Sequence, residues 1–345
     1  MTFYANNKFA AWNLFLNRFG FINQNFQVLS NIDICIEVTL KETKIILMIL
    51  KNAPKKLNLK KVNAIRKLCF FITAISALGF TSCSDDDKNR TSEYPGTEVD
   101  LGTHKLMTYS VSKNSEYLVV FESGLGNDHT SWYSTGKSSE IVSISNILDS
   151  DVLLYDRAGY GKSESGTTIP RDINKLRSEL EVVIDKFANG RKVLLVGHSL
   201  GGLIIRDFAV KNPEKVAGLV FVDASHEKYN HFSQNQIDSL YNAFKADYGA
   251  NSGIALETLQ LIEDFKYMEG LPNLPDVPVI VINSMKIDAE HDMNDRQLWY
   301  DAQESLKAGV TDFTHITTIK SGHFIQLDEP ELVLGNIRLL LSKLP

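Results

Sequence analysis

Short apolar runs alternate with longer segments of helical spacing through most of the chain after residue 105. Five of these runs are almost continuously apolar: residues 117–123, 151–156, 192–197, 216–223 and 277–283. Continuous apolarity over such lengths is typical of strands that are covered on both faces, as in a parallel sheet. The pattern therefore predicts a mostly parallel sheet at the centre of the domain.

The segments between the runs carry apolar residues at the three- and four-residue spacing of one helix face. Two such stripes are Leu176, Leu180, Val183, Ile184 and Phe187, and then Leu203, Ile204, Phe208 and Ala209. A closing helix is predicted over residues 330–344, with a proline at its first position. Strands and helices that alternate in this way predict an α/β fold with helices flanking the sheet.

One insertion interrupts the alternation. Residues 226–275 lie between two predicted strands and contain helical segments rich in Tyr and Phe. We interpret this insertion as a small helical cap over the carboxyl ends of the strands. The alternative is an ordinary helical excursion that packs on the edge of the sheet.

Charge divides the chain into two parts. The net charge is −6, yet residues 1–83 hold 11 of the 36 Lys and Arg and only 3 of the 42 Asp and Glu. The remainder therefore carries a net charge of −14. Nucleic-acid binding needs a basic surface, so an acidic body of this kind argues against that function.

The basic part has the features of a secretion signal. Six Lys and Arg between residues 55 and 67 precede an apolar run over 68–80, and Thr81-Ser82-Cys83 follows. A basic start, a short apolar run and small residues predict a signal peptide over 48–83. A membrane span needs roughly 20 apolar residues, which is more than this run provides. An uncleaved signal anchor is the alternative.

The end of this signal resembles a bacterial lipobox, in which Cys83 is the lipidated residue. The three aspartates at 85–87 resemble the acidic tether of surface-exposed envelope lipoproteins. We therefore expect a lipid-anchored protein of the bacterial cell envelope. Residues 1–47 are predicted to be an over-extended start, and the polar segment 84–104 a flexible tether ahead of a domain over 105–345.

The sequence Gly197-His198-Ser199-Leu200-Gly201 fits the pattern G-x-S-x-G and lies between a predicted strand and a predicted helix. A strand that turns abruptly into a helix raises the serine above the sheet and requires small flanking residues. The helix N-terminus then points at developing negative charge. Ser199 is the predicted nucleophile.

A serine nucleophile needs a base, and the base needs an acid that orients it. His323 is the predicted base, because it follows the last strand and precedes the closing helix. Asp223 at the end of one strand and Asp288 after the next are both candidates for the acid. We prefer Asp223 slightly, since the loop around Asp288 has no compact glycine turn.

An oxyanion hole needs backbone N–H donors. We expect the Leu200 amide to be one donor and the Leu125 amide, in the glycine loop 123–126, to be the other. His226, His231 and His291 do not have the spacing of a metal-binding motif, so no metal site is predicted.

Five segments, at 119–132, 155–164, 194–209, 218–227 and 321–333, together resemble the α/β-hydrolase superfamily, and in particular its esterase-like members with a helical cap. The resemblance covers about residues 105–345 and implies a Ser–His–Asp triad without a cofactor. Many relatives have His-Gly where this chain has Ser123-Gly124. The acid that usually follows the penultimate strand is poorly formed here, which again favours Asp223.

This combination predicts a serine hydrolase that cleaves a carboxylic ester or related acyl bond of a small molecule. Relatives with dehalogenase or epoxide-hydrolase activity use an aspartate nucleophile, which Ser199 argues against. Proline iminopeptidase, perhydrolase or acyltransferase activity on the same triad remains an alternative. A non-catalytic binding protein on this scaffold is a further alternative.

Overall fold

Eight strands form one sheet in a computed structural model that describes residues 96–132, 141–166, 170–289 and 291–345. The strands are β1 (Thr97–Asp100), β2 (Lys105–Val111), β3 (Leu118–Glu122), β4 (Asp151–Tyr155), β5 (Val193–His198), β6 (Val216–Val222), β7 (Val279–Ser284) and β8 (Phe313–Thr318). Their order is β1-β2-β4-β3-β5-β6-β7-β8. The β1–β2 and β2–β4 pairs are antiparallel, and all other pairs are parallel. The predicted mostly parallel sheet is confirmed.

Helices connect the parallel strands, and two more helices follow the last strand. They are α1 (Ile141–Leu148), α2 (Ile173–Ala188), α3 (Leu200–Lys211), α4 (Gln234–Tyr248), α5 (Gly253–Thr258), α6 (Leu261–Glu269), α7 (Met293–Glu304), α8 (Ile325–Asp328) and α9 (Pro330–Lys343). Short 3-10 turns occur at His129–Trp132, Pro213–Lys215 and Ser305–Lys307. Crossover helices of this kind are what parallel strands require, because a tight turn cannot join them.

The five central strands of the sheet, β3 to β7, are buried on both faces. On one face, alternate residues of β3 to β7 share a core with apolar side chains of α1 and α9. The intervening strand residues are buried as well, and α2 and α3 contact β3 and β5. Because successive side chains of a strand point to opposite faces, both layers are needed to cover the sheet. This explains why the strands are continuously apolar in sequence.

Three helices, α4 to α6, occupy the segment between β6 and β7. Polar contacts connect α6 to the rest of the domain: the amide of Ile173 donates to Asp264 (3.0 Å), and the Tyr267 hydroxyl donates to Asp207 (2.8 Å). These contacts attach α6 to the N-terminus of α2 and to α3. Both contacts join groups far apart in sequence.

The predicted tether over 84–104 is wrong at its C-terminal end. Thr97–Asp100 forms β1, which pairs antiparallel with β2. The segment is polar because β1 lies at the edge of the sheet, where Val99 is its buried residue. A short polar edge strand has the composition of a loop, so polarity alone does not identify it.

The predictions for residues 1–47, for the signal peptide over 48–83 and for Cys83 lie outside the described residues. In the described ranges, no helix has the length and apolarity needed to cross a membrane.

The neighbours Leu339 and Leu340 on α9 test this packing. Leu340 is fully buried against Gly218 of β6, whereas Leu339 is 48% exposed. We expect Leu340→Ala to lower the free energy of unfolding by about 2–4 kcal/mol, because it leaves a cavity under the sheet. Leu339→Ala should change it by less than about 0.5 kcal/mol. Urea denaturation measures both, and equal losses would contradict this packing.

Candidate active site

Ser199 lies at the junction of β5 and α3 in a strained backbone conformation. Its φ is 53° and its ψ is −122°, and its side chain is buried. A Cβ at Gly201 would lie 2.4 Å from the Glu122 carbonyl oxygen, and one at Gly197 would lie 2.7 Å from the Gly201 carbonyl oxygen. The two glycines of G-x-S-x-G are therefore required by close backbone contacts at this turn.

Asp223 and His323 form a buried pair at the carboxyl edge of the sheet. The His323 Nδ1 lies 2.7 Å from Asp223 Oδ2. Asp223 directly follows β6, and His323 lies in the loop between β8 and α8. A carboxylate on Nδ1 leaves Nε2 as the nitrogen that can exchange a proton with a nucleophile. The geometry thus brings together two of the residues predicted from the sequence.

Two further groups hold the Asp223 carboxylate, and neither was identified from the sequence. Asp223 Oδ1 accepts hydrogen bonds from the Ser284 amide (2.8 Å) and from the Trp299 indole Nε1 (2.9 Å). Burial alone raises the pKa of Asp223, but the hydrogen bond and charge of His323 and the Ser284 amide outweigh it and lower the pKa. Asp223 therefore remains an anion although it is buried.

Asp288, the alternative acid, has different partners. Its Oδ1 lies 2.9 Å from His291 Nδ1, and its Oδ2 lies 3.4 Å from Arg296 Nη2. Its side chain is 36% exposed, compared with 1% for that of Asp223. Of the two candidates, the structure pairs Asp223 with His323. The catalytic role of Asp223 is still a prediction.

Backbone and ring contacts place Ser199 next to this pair. The Ser199 amide donates to the Val222 carbonyl oxygen (3.3 Å), one residue before Asp223. The preceding residue, His198, has its ring centroid 4.6 Å from that of His323, and its Nε2 lies 3.0 Å from the His323 carbonyl oxygen. The ends of β5 and β6 therefore bring Ser199, Asp223 and the His323 loop to one place.

The loop 123–126 packs against the same serine. A Cβ at Gly124 would lie 3.0 Å from Ser199 Cβ and 3.0 Å from His198 Nδ1. Glycine at this position allows the loop backbone to approach the serine closely. Leu200 begins α3, so its amide has no acceptor within the helix. The residues that carry both predicted oxyanion donors thus lie beside Ser199.

A pocket opens beside His323. Its lining comes from the ends of β6 and β8, from the segment before α4 and from the region of α7. The lining residues are Asp223, Ser225, Tyr229, Asn230, His231, Phe232, His291, Arg296, Trp299 and His323. The histidine–aspartate pair forms one wall of this pocket.

One group of described residues has ligand atoms close enough together for a metal ion, namely Asp128, His129 and Asp156. The His129 Nδ1 lies 2.6 Å from Asp156 Oδ1, and the other Asp156 oxygen accepts from the Lys162 amide (2.9 Å). Asp128 Oδ1 accepts from the amide and the hydroxyl of Thr130. Hydrogen bonds within the protein therefore account for these three side chains.

The pKa of the His198 imidazole tests whether this side chain is buried at the site. Burial, together with the nearby charge of His323, lowers the pKa of His198 to about 3. We expect its imidazole to remain neutral on acidification to about pH 4. The pKa of a histidine in an unfolded chain is about 6.5, which is above the pKa of His198 in the folded protein. At a pH between these two pKa values, the unfolded chain binds a proton that the folded protein does not, so acidification in this range lowers stability. Imidazole ¹⁵N chemical shifts measure the titration, and a midpoint near pH 6.5 would contradict the prediction.

Comparison with known proteins bears on the fold. Residues 117–261 match the family profile described as alpha/beta hydrolase fold. An AB hydrolase superfamily protein of Gibberella zeae is 31% identical over 121 residues, which is 34% of this chain and 35% of that protein. The chain spans less than half the length of the curated relatives it matches.

Solved structures show the same fold at low sequence identity. An esterase from Thermogutta terrifontis matches with a TM-score of 0.55 and 17% identity, over 72% of this chain and 98% of that one. An epoxide hydrolase, VrEH1 from Vigna radiata, matches with a TM-score of 0.54 and 15% identity, over 73% and 99%. The sheet order, the serine elbow and these matches together show that the chain has the α/β-hydrolase fold.

Proposed function

We propose that this protein is a serine hydrolase that cleaves a carboxylic ester or a related acyl bond. The observation that carries the proposal is the buried Asp223–His323 pair beside a serine held in a strained elbow. The matched fold is compatible with several chemistries, since one solved structure is an esterase and another an epoxide hydrolase. The proposal of ester chemistry is therefore supported by the side chains at the site and not by the fold.

In the first half of the reaction, Ser199 Oγ attacks the carbonyl carbon of the substrate while His323 Nε2 accepts its proton. Asp223 stabilises the resulting imidazolium through Nδ1. The amides of Leu200 and Leu125 donate hydrogen bonds to the oxyanion of the tetrahedral intermediate. His323 then gives its proton to the leaving oxygen, the alcohol departs, and Ser199 is left as an acyl ester.

In the second half, a water molecule replaces the alcohol. His323 accepts a proton from the water as its oxygen attacks the acyl carbon, and a second oxyanion forms in the same position. Collapse of this intermediate breaks the bond to Ser199 Oγ, which takes the proton back from His323. The products are the carboxylic acid and the original serine. An acyl acceptor other than water would make the same steps a transferase reaction.

The pocket beside His323 is proposed to receive the leaving group. Because His323 protonates the leaving oxygen, the remainder of the alcohol extends to the His323 side of the scissile bond. The pocket opens there, between the segment that carries Tyr229 and Phe232 and the region of Trp299. We also propose, from the sequence alone, that a lipid on Cys83 anchors the protein in a bacterial envelope.

A fluorophosphonate probe tests the nucleophile. We expect it to label the protein, and Ser199→Ala to abolish the labelling, because the probe reacts with activated serines. Ser145→Ala is a matched control, since Ser145 is also fully buried but lies on α1, away from the site. Gel fluorescence measures the labelling, and circular dichroism confirms folding. A folded wild-type protein without labelling would contradict the proposal.

The choice of acid has its own test. Asp223→Asn should lower kcat/KM by about 10³–10⁴-fold on a p-nitrophenyl ester, because an amide favours the wrong tautomer of His323. Asp288→Asn should stay within about threefold of wild type, because Asp288 pairs with His291 and Arg296. The opposite ranking of the two variants would transfer the role to Asp288.

A further inference from the structure

Arg157, in the loop after β4, is buried, and its guanidinium donates hydrogen bonds to the loop beside Ser199. Its Nη1 donates to the Ser123 carbonyl oxygen (2.6 Å), and its Nη2 donates to the Gly124 carbonyl oxygen (2.9 Å). Nη1 also donates to Glu122 Oε1 (2.9 Å), at the end of β3. Three consecutive residues of the chain are therefore held by one side chain.

The bond to Gly124 determines the direction of the Leu125 amide. The carbonyl of Gly124 and the N–H of Leu125 belong to one planar, trans peptide, so they point in opposite directions. When the carbonyl faces Arg157, the Leu125 N–H faces away from it. Within the described ranges, no protein group accepts a hydrogen bond from this amide. The arrangement suits a donor reserved for a substrate oxygen.

Glu257 of α5 holds Arg157 from the other side. Its two carboxylate oxygens accept from Arg157 Nε and Nη2, both at 2.9 Å. Glu257 also accepts from the Tyr160 hydroxyl (2.8 Å), and that hydroxyl accepts from the Gly126 amide (3.2 Å). One buried carboxylate is thus connected to both ends of the glycine loop. It reaches the loop only because α5, between β6 and β7, packs over the loop after β4.

We propose that Arg157 and Glu257 are positioning residues that orient the Leu125 amide toward the oxyanion. The packing of helix α5 against the loop after β4 would then set the geometry of the oxyanion hole. The proposal rests on the proposed serine-hydrolase function. A misdirected amide would leave the substrate ground state bound nearly as well but would no longer stabilise the negative charge of the transition state.

A matched pair of variants tests it. Glu257→Gln weakens a buried bidentate pair with Arg157, and Glu179→Gln weakens a similar buried pair with Arg171 (2.6 and 2.7 Å) that makes no hydrogen bond to the loop 123–126. On a p-nitrophenyl ester, we expect Glu257→Gln to lower kcat by about 10–100-fold with KM within about threefold. Glu179→Gln should retain kcat within about threefold, even where its melting temperature falls equally.

Two further readouts separate positioning from loss of structure. The affinity for a trifluoromethyl ketone, which forms a tetrahedral oxyanion on the serine, should fall by the same factor as kcat/KM. The shape of the pH–rate profile should not change, because the His323–Asp223 pair is untouched. If Glu257→Gln does not fold, Tyr160→Phe replaces it. That variant keeps the ion pair, removes the bond to Gly126, and should lower kcat in the same way.

Different results overturn the two proposals. Wild-type protein that neither hydrolyses esters nor labels at Ser199 would overturn the proposed function. Active wild-type protein whose Glu257→Gln and Tyr160→Phe variants keep full kcat would overturn the positioning role alone. Equal losses of kcat in Glu257→Gln and Glu179→Gln would also overturn it, since any buried ion pair would then have the same effect.

Discussion

The site depends on an abrupt turn from β5 into α3 that holds Ser199 at a positive φ. A non-glycine residue in such a conformation costs about 1–3 kcal/mol, which the surrounding packing must offset. The turn is compatible only with small neighbours, because the Glu122 carbonyl lies against Gly201 and the Ala224 side chain lies against Gly202. The buried sheet on one side and α3 on the other keep the turn in place.

A second constraint is the burial of charge around that turn. Asp223 is anionic and almost inaccessible to water, so its oxygens need donors from the protein. Ser284, Trp299 and His323 supply them from β7, α7 and the loop after β8. Ser284 also donates its hydroxyl to the Ser321 carbonyl oxygen (2.8 Å), which connects the acid to the histidine loop. The acid is thus fixed by three separate parts of the chain.

On the other side of the serine, buried charges are again paired within the protein. Arg157 lies between the carboxylates of Glu122 and Glu257, and burial raises the pKa of Glu122 to about 7 although Arg157 opposes this. A guanidinium between two acids and two backbone carbonyls has nearly all its donors engaged. Such satisfied polar networks favour one backbone geometry over others, because each misplaced group would be left without a partner.

The sequence by itself determined the sheet, the serine elbow and the position of His323 before the last helix, because these follow from apolar periodicity, glycine spacing and chain order. The edge strand β1, the pairing of Asp223 rather than Asp288 with His323, and the contacts of Trp299 and Arg157 were decided only by the tertiary structure. Strand β1 is too polar to be identified from the local pattern, and the other contacts join residues far apart in the chain: Trp299 lies 76 positions from Asp223, and Glu257 lies 100 positions from Arg157. A local sequence pattern does not show which distant residues come into contact, so only the folded chain brings these groups together.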